Sequence, residues 1–256
     1  MKNVIFQYCI PFNGSGLKNK EGAYYTNAGP NSWVKKSTEL FRQYAEKHNA
    51  KHIFLQDRFV NASSDYFEAI RLFKDPQFDK YDKMLFVDVD VIPVNSNVNI
   101  FDIDVVDVAG WPEHHFDGIE VKIRWKDQQL QMKKRFQAFG TDIVDSTIAG
   151  GMRMINSGVM LWSKDARLRA RQLFDDHEAW YNYQNCILDR KWKSSGPRTH
   201  CLDQPYFNAM FNKYDYNILE LKKEWNRFPT KDDNMPCNFA HYVGKYKDRI
   251  LKKQVT

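Results

Sequence analysis

The sequence predicts an α/β protein: a mixed, mostly parallel sheet flanked by helices, in a single domain spanning 1–256. Three observations carry this expectation. Strand-like and helix-like segments alternate through the first half of the chain. Residues 84–93, Met-Leu-Phe-Val-Asp-Val-Asp-Val-Ile-Pro, form an apolar run of the kind buried on both faces. And 256 residues with 15% aromatics supply apolar area for one large core.

The elements follow in order. Residues 3–9 read as a first strand, followed by a Gly/Asn/Ser-rich loop to about residue 30. After Gly29-Pro30, the residues Trp33, Ser37, Leu40, Phe41 and Tyr44 recur at helical spacing, with Asn31 or Ser32 as the cap. Ile53-Phe54-Leu55 is a second strand. Asp65 and Glu68 suit a capping box for a helix showing Tyr66, Ile70 and Phe73 on one face, ended by Lys74-Asp75-Pro76. The strand leading to Asp88 and Asp90 comes next, and in a β-α-β-α-β sheet ligands collect at such carboxyl ends. Residues 105–111 form a further strand. Residues 113–147 are polar and weakly periodic, a lid or partner-specific insertion between a first half, 1–112, and a second half, 148–256. Residues 154–162 are strand-like, Asp165 caps the helix after them, and 202–211 is a last helix. No internal repeat or low-complexity segment interrupts the pattern.

The net charge is +6, from 38 basic and 32 acidic residues, and it is spread over short groups: Lys35-Lys36, Lys133-Lys134-Arg135, Arg167/Arg169/Arg171 and Lys222-Lys223. None is long enough to be a tail, and most read as solvated faces. The balance suits a phosphate-bearing ligand, a nucleic acid or an anionic membrane surface equally, but no nucleic-acid motif accompanies it. Cys9, Cys186, Cys201 and Cys237 are widely spaced, as expected of free thiols in a reducing compartment. With Val4-Ile5-Phe6 opening the first strand directly and no long apolar run, the expected location is the cytoplasm, with a membrane surface left open.

Asp88 and Asp90 frame the chemistry. Carboxylates are rarely buried unless paired or bound to a cation. Two residues apart on a strand, they point the same way and can share one divalent ion. A strand end turning into solvent would use the same residues, as Asp102-Ile103-Asp104 illustrates. Three later segments weigh on the choice: Asn156-Ser157-Gly158-Val159, a tight turn entering a strand; Asp203-Gln204, opening a helix; and His241-Tyr242-Val243-Gly244-Lys245-Tyr246-Lys247. His241 can give a neutral nitrogen to a metal already held by two carboxylates, Gly244 lets backbone approach a ligand, and Lys247 is a point charge for phosphate.

In this combination and order the motifs resemble glycosyltransferase family 8, within the GT-A glycosyltransferases, over about residues 66–247 except 113–147. Leu85 to Asp90 matches the family's Asp-x-Asp strand, and Asn156-Ser157-Gly158-Val159 its Asn-Ala-Gly-Val turn with Ser for Ala. Asp203-Gln204 matches its Asp-Gln pair, and His241, Gly244 and Lys247 its His-x-x-Gly-x-x-Lys. Arg71-Leu72 stands where the family places an Arg-Leu pair, and Trp225-Asn226 is similar to the segment before its final His motif. The resemblance implies a nucleotide-sugar donor, UDP favoured, and a glycan, lipid-linked or protein acceptor. Mn2+ or Mg2+ would be bound by Asp88, Asp90 and His241, with Gly244 and Lys247 on the diphosphate. Arg71 and Asn156 would face the sugar, Asp203 would hydrogen-bond it, and Gln204 would lie beneath the anomeric carbon of a retaining enzyme. Family members carry an acidic residue near the end of the first strand to read uracil. Here Phe6-Gln7-Tyr8-Cys9 stands instead, with Tyr8 as a surface on which a base can stack.

Two other classes use the same features. A haloacid-dehalogenase-type phosphatase would make Asp88 its nucleophile, with Trp162-Ser163 and Asp175-Asp176 as later motifs. It leaves His241, Gly244 and Lys247 unexplained, and it would place the Asp-x-Asp strand first in the chain. A non-catalytic nucleotide- or glycan-binding protein on the same scaffold would be expected to have lost some of these side chains.

Overall fold

Side-chain alternation sets the two faces of the sheet. The computed structural model describes residues 1–10, 32–62, 64–112, 133–144, 153–183, 203–229 and 236–252. Among these are eight strands: β1 (Asn3–Tyr8), β2 (Ala50–Leu55), β3 (Lys83–Val87), β4 (Val91–Pro93), β5 (Val108–Pro112), β6 (Ile155–Ser163), β7 (Ile218–Glu220) and β8 (Phe239–His241). Six form the main sheet in the order β2-β1-β3-β6-β5-β7. β1 pairs in parallel with β2 and β3, and β5 with β7; β6 runs antiparallel to both β3 and β5. Val4, Phe6, Met84, Phe86, Met160 and Trp162 belong to one apolar layer, and Ile5, Leu85, Val87, Val159 and Leu161 to the other. Successive residues on each strand thus feed opposite faces, and both faces are covered.

Helix α1 (Trp33–Lys47) covers the second layer through Phe41, Tyr44 and Ala45. Its cap is Ser32, whose hydroxyl accepts the Lys35 N–H at 3.2 Å. The first layer is covered by α2 (Arg71–Lys74), α3 (Lys164–Leu173), α4 (His177–Asn182) and α5 (Asp203–Lys213). Trp162 is its hub, with ring centroids 5.2 Å from Phe211 and 5.9 Å from Phe207. Among the described residues no helix is long and apolar enough to cross a membrane.

Several local expectations are corrected. Asp65 and Glu68 make no capping box. Residues Asp65–Ile70 form a 3-10 helix without a side-chain cap, and the buried Glu68 carboxylate instead accepts the Phe59 and Val60 N–H groups. Those donors lie in the loop leaving β2 and have no strand partner, so the carboxylate serves them first. Ser163, not Asp165, caps α3, because its hydroxyl reaches the Ala166 N–H at 3.1 Å while Asp165 lies in the first turn. Asn156-Ser157-Gly158-Val159 is no turn; it lies inside β6. Arg135 and Arg167 are buried, not solvated. Arg167 donates to the Phe78 and Tyr81 carbonyls at 3.0 and 2.5 Å, and Arg135 to that of Trp180. Cys9 is buried and free, with its thiol pushed up to about 11 by burial, against the pull of Lys247. Cys186, Cys201 and the loop 11–31 lie outside the described residues, as does most of 113–147.

A pH test of this core follows from His52 on β2. Its Nε2 lies 2.9 Å from Gln7 Oε1, and burial, helped by the Arg42 charge, pushes it from 6.5 down to about 4. Between those values the unfolded chain binds the extra proton, so this stability is full above about pH 6.5 and lost as pH falls through about 4. The loss should be at most about 3 kcal/mol. The thermal midpoint of His52→Gln should therefore fall less on acidification than that of the wild type; equal slopes would contradict the assignment.

Candidate active site

The main sheet delivers Asp88, and a tight turn delivers Asp90. β3 ends at Val87, and the Val91 N–H bonds the Asp88 carbonyl at 3.1 Å, closing a turn over Asp88–Val91. The two aspartates therefore share a site because the chain turns, not because a strand alternates. Two backbone bonds and one side-chain bond fix the turn: Asp88 N–H to the Gly158 carbonyl at 2.9 Å, Tyr242 N–H to the Asp90 carbonyl at 2.8 Å, and the Gln7 side-chain Nε2 to the Asp88 carbonyl at 3.3 Å. β4 continues from the turn and pairs antiparallel with β8, setting Val91 opposite His241. A residue 150 positions downstream thus enters the same site by strand pairing.

Asp88, Asp90 and His241 each offer one ligand atom, and these lie within 4.8 Å of one another. Asp90 Oδ1 is 3.2 Å from His241 Nε2, yet it is buried with no aligned hydrogen-bond donor. Asp90 Oδ2 is 3.0 Å from Lys247 Nζ, which also sits over the Trp33 ring at 5.0 Å. A buried carboxylate oxygen without a donor, beside a second carboxylate and an imidazole nitrogen, fits a divalent cation. The electrostatics agree. Burial and the neighbouring Asp90 charge push Asp88 up to about 6. Burial acts the same way on Asp90, but His241 when protonated and Lys247 outweigh it and hold that carboxyl well below the usual range.

A polar layer adjoins these ligands. Asn156 Oδ1 accepts the Gly158 N–H at 3.0 Å and the Asn226 Nδ2 at 2.7 Å, and Asn156 Nδ2 donates to Gln204 Oε1 at 3.0 Å. Asn226 Oδ1 is 3.0 Å from His241 Nδ1. Asp203, the first residue of α5, is buried; desolvation and the Asp88 charge push it up to about 7, against a hydrogen bond from the Ser157 side chain. Gly158 leaves room for all of this, since a Cβ there would meet His241 Cε1 at 2.5 Å and Asp88 Oδ2 at 2.9 Å. Asn226 and Gly158 were not on the expected ligand set. Asn226 carried a signal in Trp225-Asn226, while Gly158 looked like turn chemistry.

Other expected site residues stand as follows. Tyr8 donates its hydroxyl to the Tyr66 carbonyl at 3.0 Å and stacks on Phe86 at 5.9 Å between centroids. Arg71 is buried, bonded to Asp75 at 2.9 Å and Asp57 at 3.1 Å and stacked on Phe59 at 4.9 Å, rather than on any of the ligands above. Gly244 opens the final 3-10 segment, Gly244–Lys252. The residues that a phosphatase would need are engaged elsewhere: Ser163 caps α3, Asp175 pairs with Lys213 at 2.6 Å, and Asp176 caps α4.

Comparison with known proteins places the chain. The family model described as glycosyl transferase family 8 matches residues 27–248. Among solved structures, a glycosyltransferase involved in the glycosylation of the major capsid of PBCV-1 aligns over 98% of both chains at 15% identity with a TM-score of 0.51. The galactosyltransferase LgtC, solved with donor and acceptor sugar analogs, aligns over 95% of this chain and 87% of its own at 13% identity and TM-score 0.46. Mouse xyloside xylosyltransferase 1 aligns over 96% and 98% at 14% and 0.46. The six-stranded mixed sheet with its flanking helices is the GT-A arrangement, and the family match sets the phosphatase reading aside. The chain belongs to glycosyltransferase family 8 and is a glycosyltransferase of GT-A fold.

Proposed function

We propose that the enzyme moves a hexose from a UDP-sugar to a hydroxyl of a glycan, lipid-linked or protein acceptor, with retention of anomeric configuration. In this reading it works in the cytoplasm, at a membrane surface when the acceptor is lipid-linked, and requires Mn2+ or Mg2+ held by Asp88, Asp90 and His241. The observation that carries the reading is Asp90, with one buried oxygen lacking a donor beside the other two ligands and the second oxygen 3.0 Å from Lys247. Bound there, the cation supplies charge neutralisation to a departing diphosphate.

The chain's own groups complete the proposal. Lys247 and the backbone at Gly244 hold the diphosphate. Tyr8 flanks the base. Asn156 and Asp203 address the sugar, and Arg71 joins them by giving up Asp57. In the transfer, the bond from the anomeric carbon to the diphosphate oxygen breaks. The acceptor oxygen bonds that carbon on the same face, and the acceptor proton passes to the leaving diphosphate. Gln204 supports the anomeric carbon without forming a bond to it. An amide oxygen is a weak nucleophile, and this one already accepts from Asn156 Nδ2 at 3.0 Å and the Ser157 N–H at 3.4 Å.

Incubation with Mn2+ and a panel of nucleotide-sugars should release UDP from a UDP-hexose, stop on chelation and resume when Mn2+ is restored. No nucleoside diphosphate from any donor, with or without Mn2+, would overturn the proposal.

A further inference from the structure

Asn226 is fully buried, with its side chain between Asn156 of β6 and His241 of β8. Its place in the hydrogen-bond chain has a direction, and that direction can be worked out from two backbone N–H groups. A backbone N–H can only donate. The Gly158 N–H, 3.0 Å from the Asn156 side chain, therefore fixes the facing atom as Oδ1 and turns Nδ2 toward Gln204. The Ser157 N–H fixes the facing atom of Gln204 as Oε1 in the same way, at 3.4 Å, so that oxygen accepts from Asn156. With Asn156 Oδ1 an acceptor, Asn226 must present Nδ2 to it at 2.7 Å, which leaves Asn226 Oδ1 against His241 Nδ1 at 3.0 Å. An acceptor oxygen there requires the ring proton on Nδ1, and the lone pair is left on Nε2, the nitrogen that faces Asp90 at 3.2 Å.

We infer that Asn226 is a positioning residue that sets the His241 tautomer for metal ligation and ties that ligand, through Asn156, to Gln204. The inference rests on the metal reading proposed above. It extends that reading to a residue outside the ligand set and joins the cation side of the site to Gln204 through the buried amides of Asn226 and Asn156. A neighbour that fixes a ligating imidazole's tautomer and orientation typically accounts for about 10- to 100-fold in metal affinity. Replacing the acceptor by a methyl group removes that control, whereas an aspartate at the same position keeps an oxygen for the Nδ1–H but turns its second oxygen on the acceptor Asn156 Oδ1, so it preserves the contact to His241 while breaking the one to Asn156.

The experiment uses the full chain with 15N-labelled histidine at about pH 8, above the ordinary imidazole pKa of about 6.5, with His241→Gln to assign the resonance. In metal-free wild type, His241 should be protonated on Nδ1. Asn226→Ala should shift it to the Nε2–H form or a mixture, and weaken Mn2+ binding, read by the free-ion electron paramagnetic resonance signal, about 10- to 100-fold. Asn226→Asp, which keeps the oxygen facing Nδ1, should hold the Nδ1–H tautomer. Should Asn226→Ala not fold, wild type and Asn226→Asp decide the matter alone. A wild-type His241 protonated on Nε2, or an Asn226→Asp that does not hold the Nδ1–H form, overturns the inference, as does a folded Asn226→Ala with unchanged tautomer and affinity. The tautomer is read without metal, so a wild type that is Nδ1–H yet binds no Mn2+ would sink the metal proposal and leave the role of Asn226 in place.

Discussion

Asp88→Asn is expected to lower sugar transfer about 10^3-fold while leaving the metal-free protein at least as stable as the wild type. The two effects separate because, under the proposed function, the charge on Asp88 serves the cation and not the fold. Burial and Asp90 push its carboxyl up to about 6. The folded chain therefore binds a proton that the unfolded chain, near 3.8, releases. Wild-type stability falls as pH rises through that window and stays down above about pH 6. Asparagine is neutral throughout, so its relative gain grows from about pH 4 to pH 6 and is complete at pH 8. Asp90→Asn should lose as much activity with the opposite sign in stability, because Lys247, 3.0 Å from Asp90 Oδ2, favours the ionised form of Asp90 in the folded state. Thermal unfolding in chelator at about pH 4 and pH 8, set beside nucleoside diphosphate release, checks both halves. Equal destabilisation by the two variants would contradict this division of roles, and full activity in either would remove the cation site.

Gly158→Ala should be nearly as damaging to catalysis, for a steric reason. Gly158 lies inside β6, between Val159, paired with Val87, and the Asn156 that anchors the amide chain. A Cβ would stand 2.5 Å from His241 Cε1, 2.9 Å from Asp88 Oδ2 and 3.0 Å from Asn156 Oδ1. None of these can withdraw without leaving the site, since Asp88 is tied through its backbone to Gly158 and His241 to Asn226. Overpacking of this kind costs about 1–3 kcal/mol, so the variant should fold with a lowered thermal midpoint. Its Mn2+ affinity and turnover should each fall about 100-fold, as expected when a metal ligand is misplaced. A folded variant retaining wild-type turnover would show that the three groups do not need to stand where this glycine lets them.

Much of this was legible in the chain. The strands β1 and β3 were readable because strands buried on both faces are continuous apolar stretches, the half-buried β2 through its short run Ile53-Phe54-Leu55, and α1 because Trp33, Ser37, Leu40, Phe41 and Tyr44 keep helical spacing. Asp88, Asp90 and His241 were also readable, as ligand chemistry carried by a recognisable set of motifs. The sequence alone therefore determined the fold class and the family, and it named three side chains that the fold brings together. Only the tertiary structure decided how those side chains meet. The turn at Asp88–Val91 and the β4–β8 pairing are long-range or local closures that hydrophobic periodicity does not encode. Whether Asn156-Ser157-Gly158 is a turn or the inside of a strand depends on β3 and β5 lying alongside it. The same holds for Asn226 and Gly158: an amide acquires a direction, and a glycine a necessity, only from neighbours that are distant in the chain and in contact after folding.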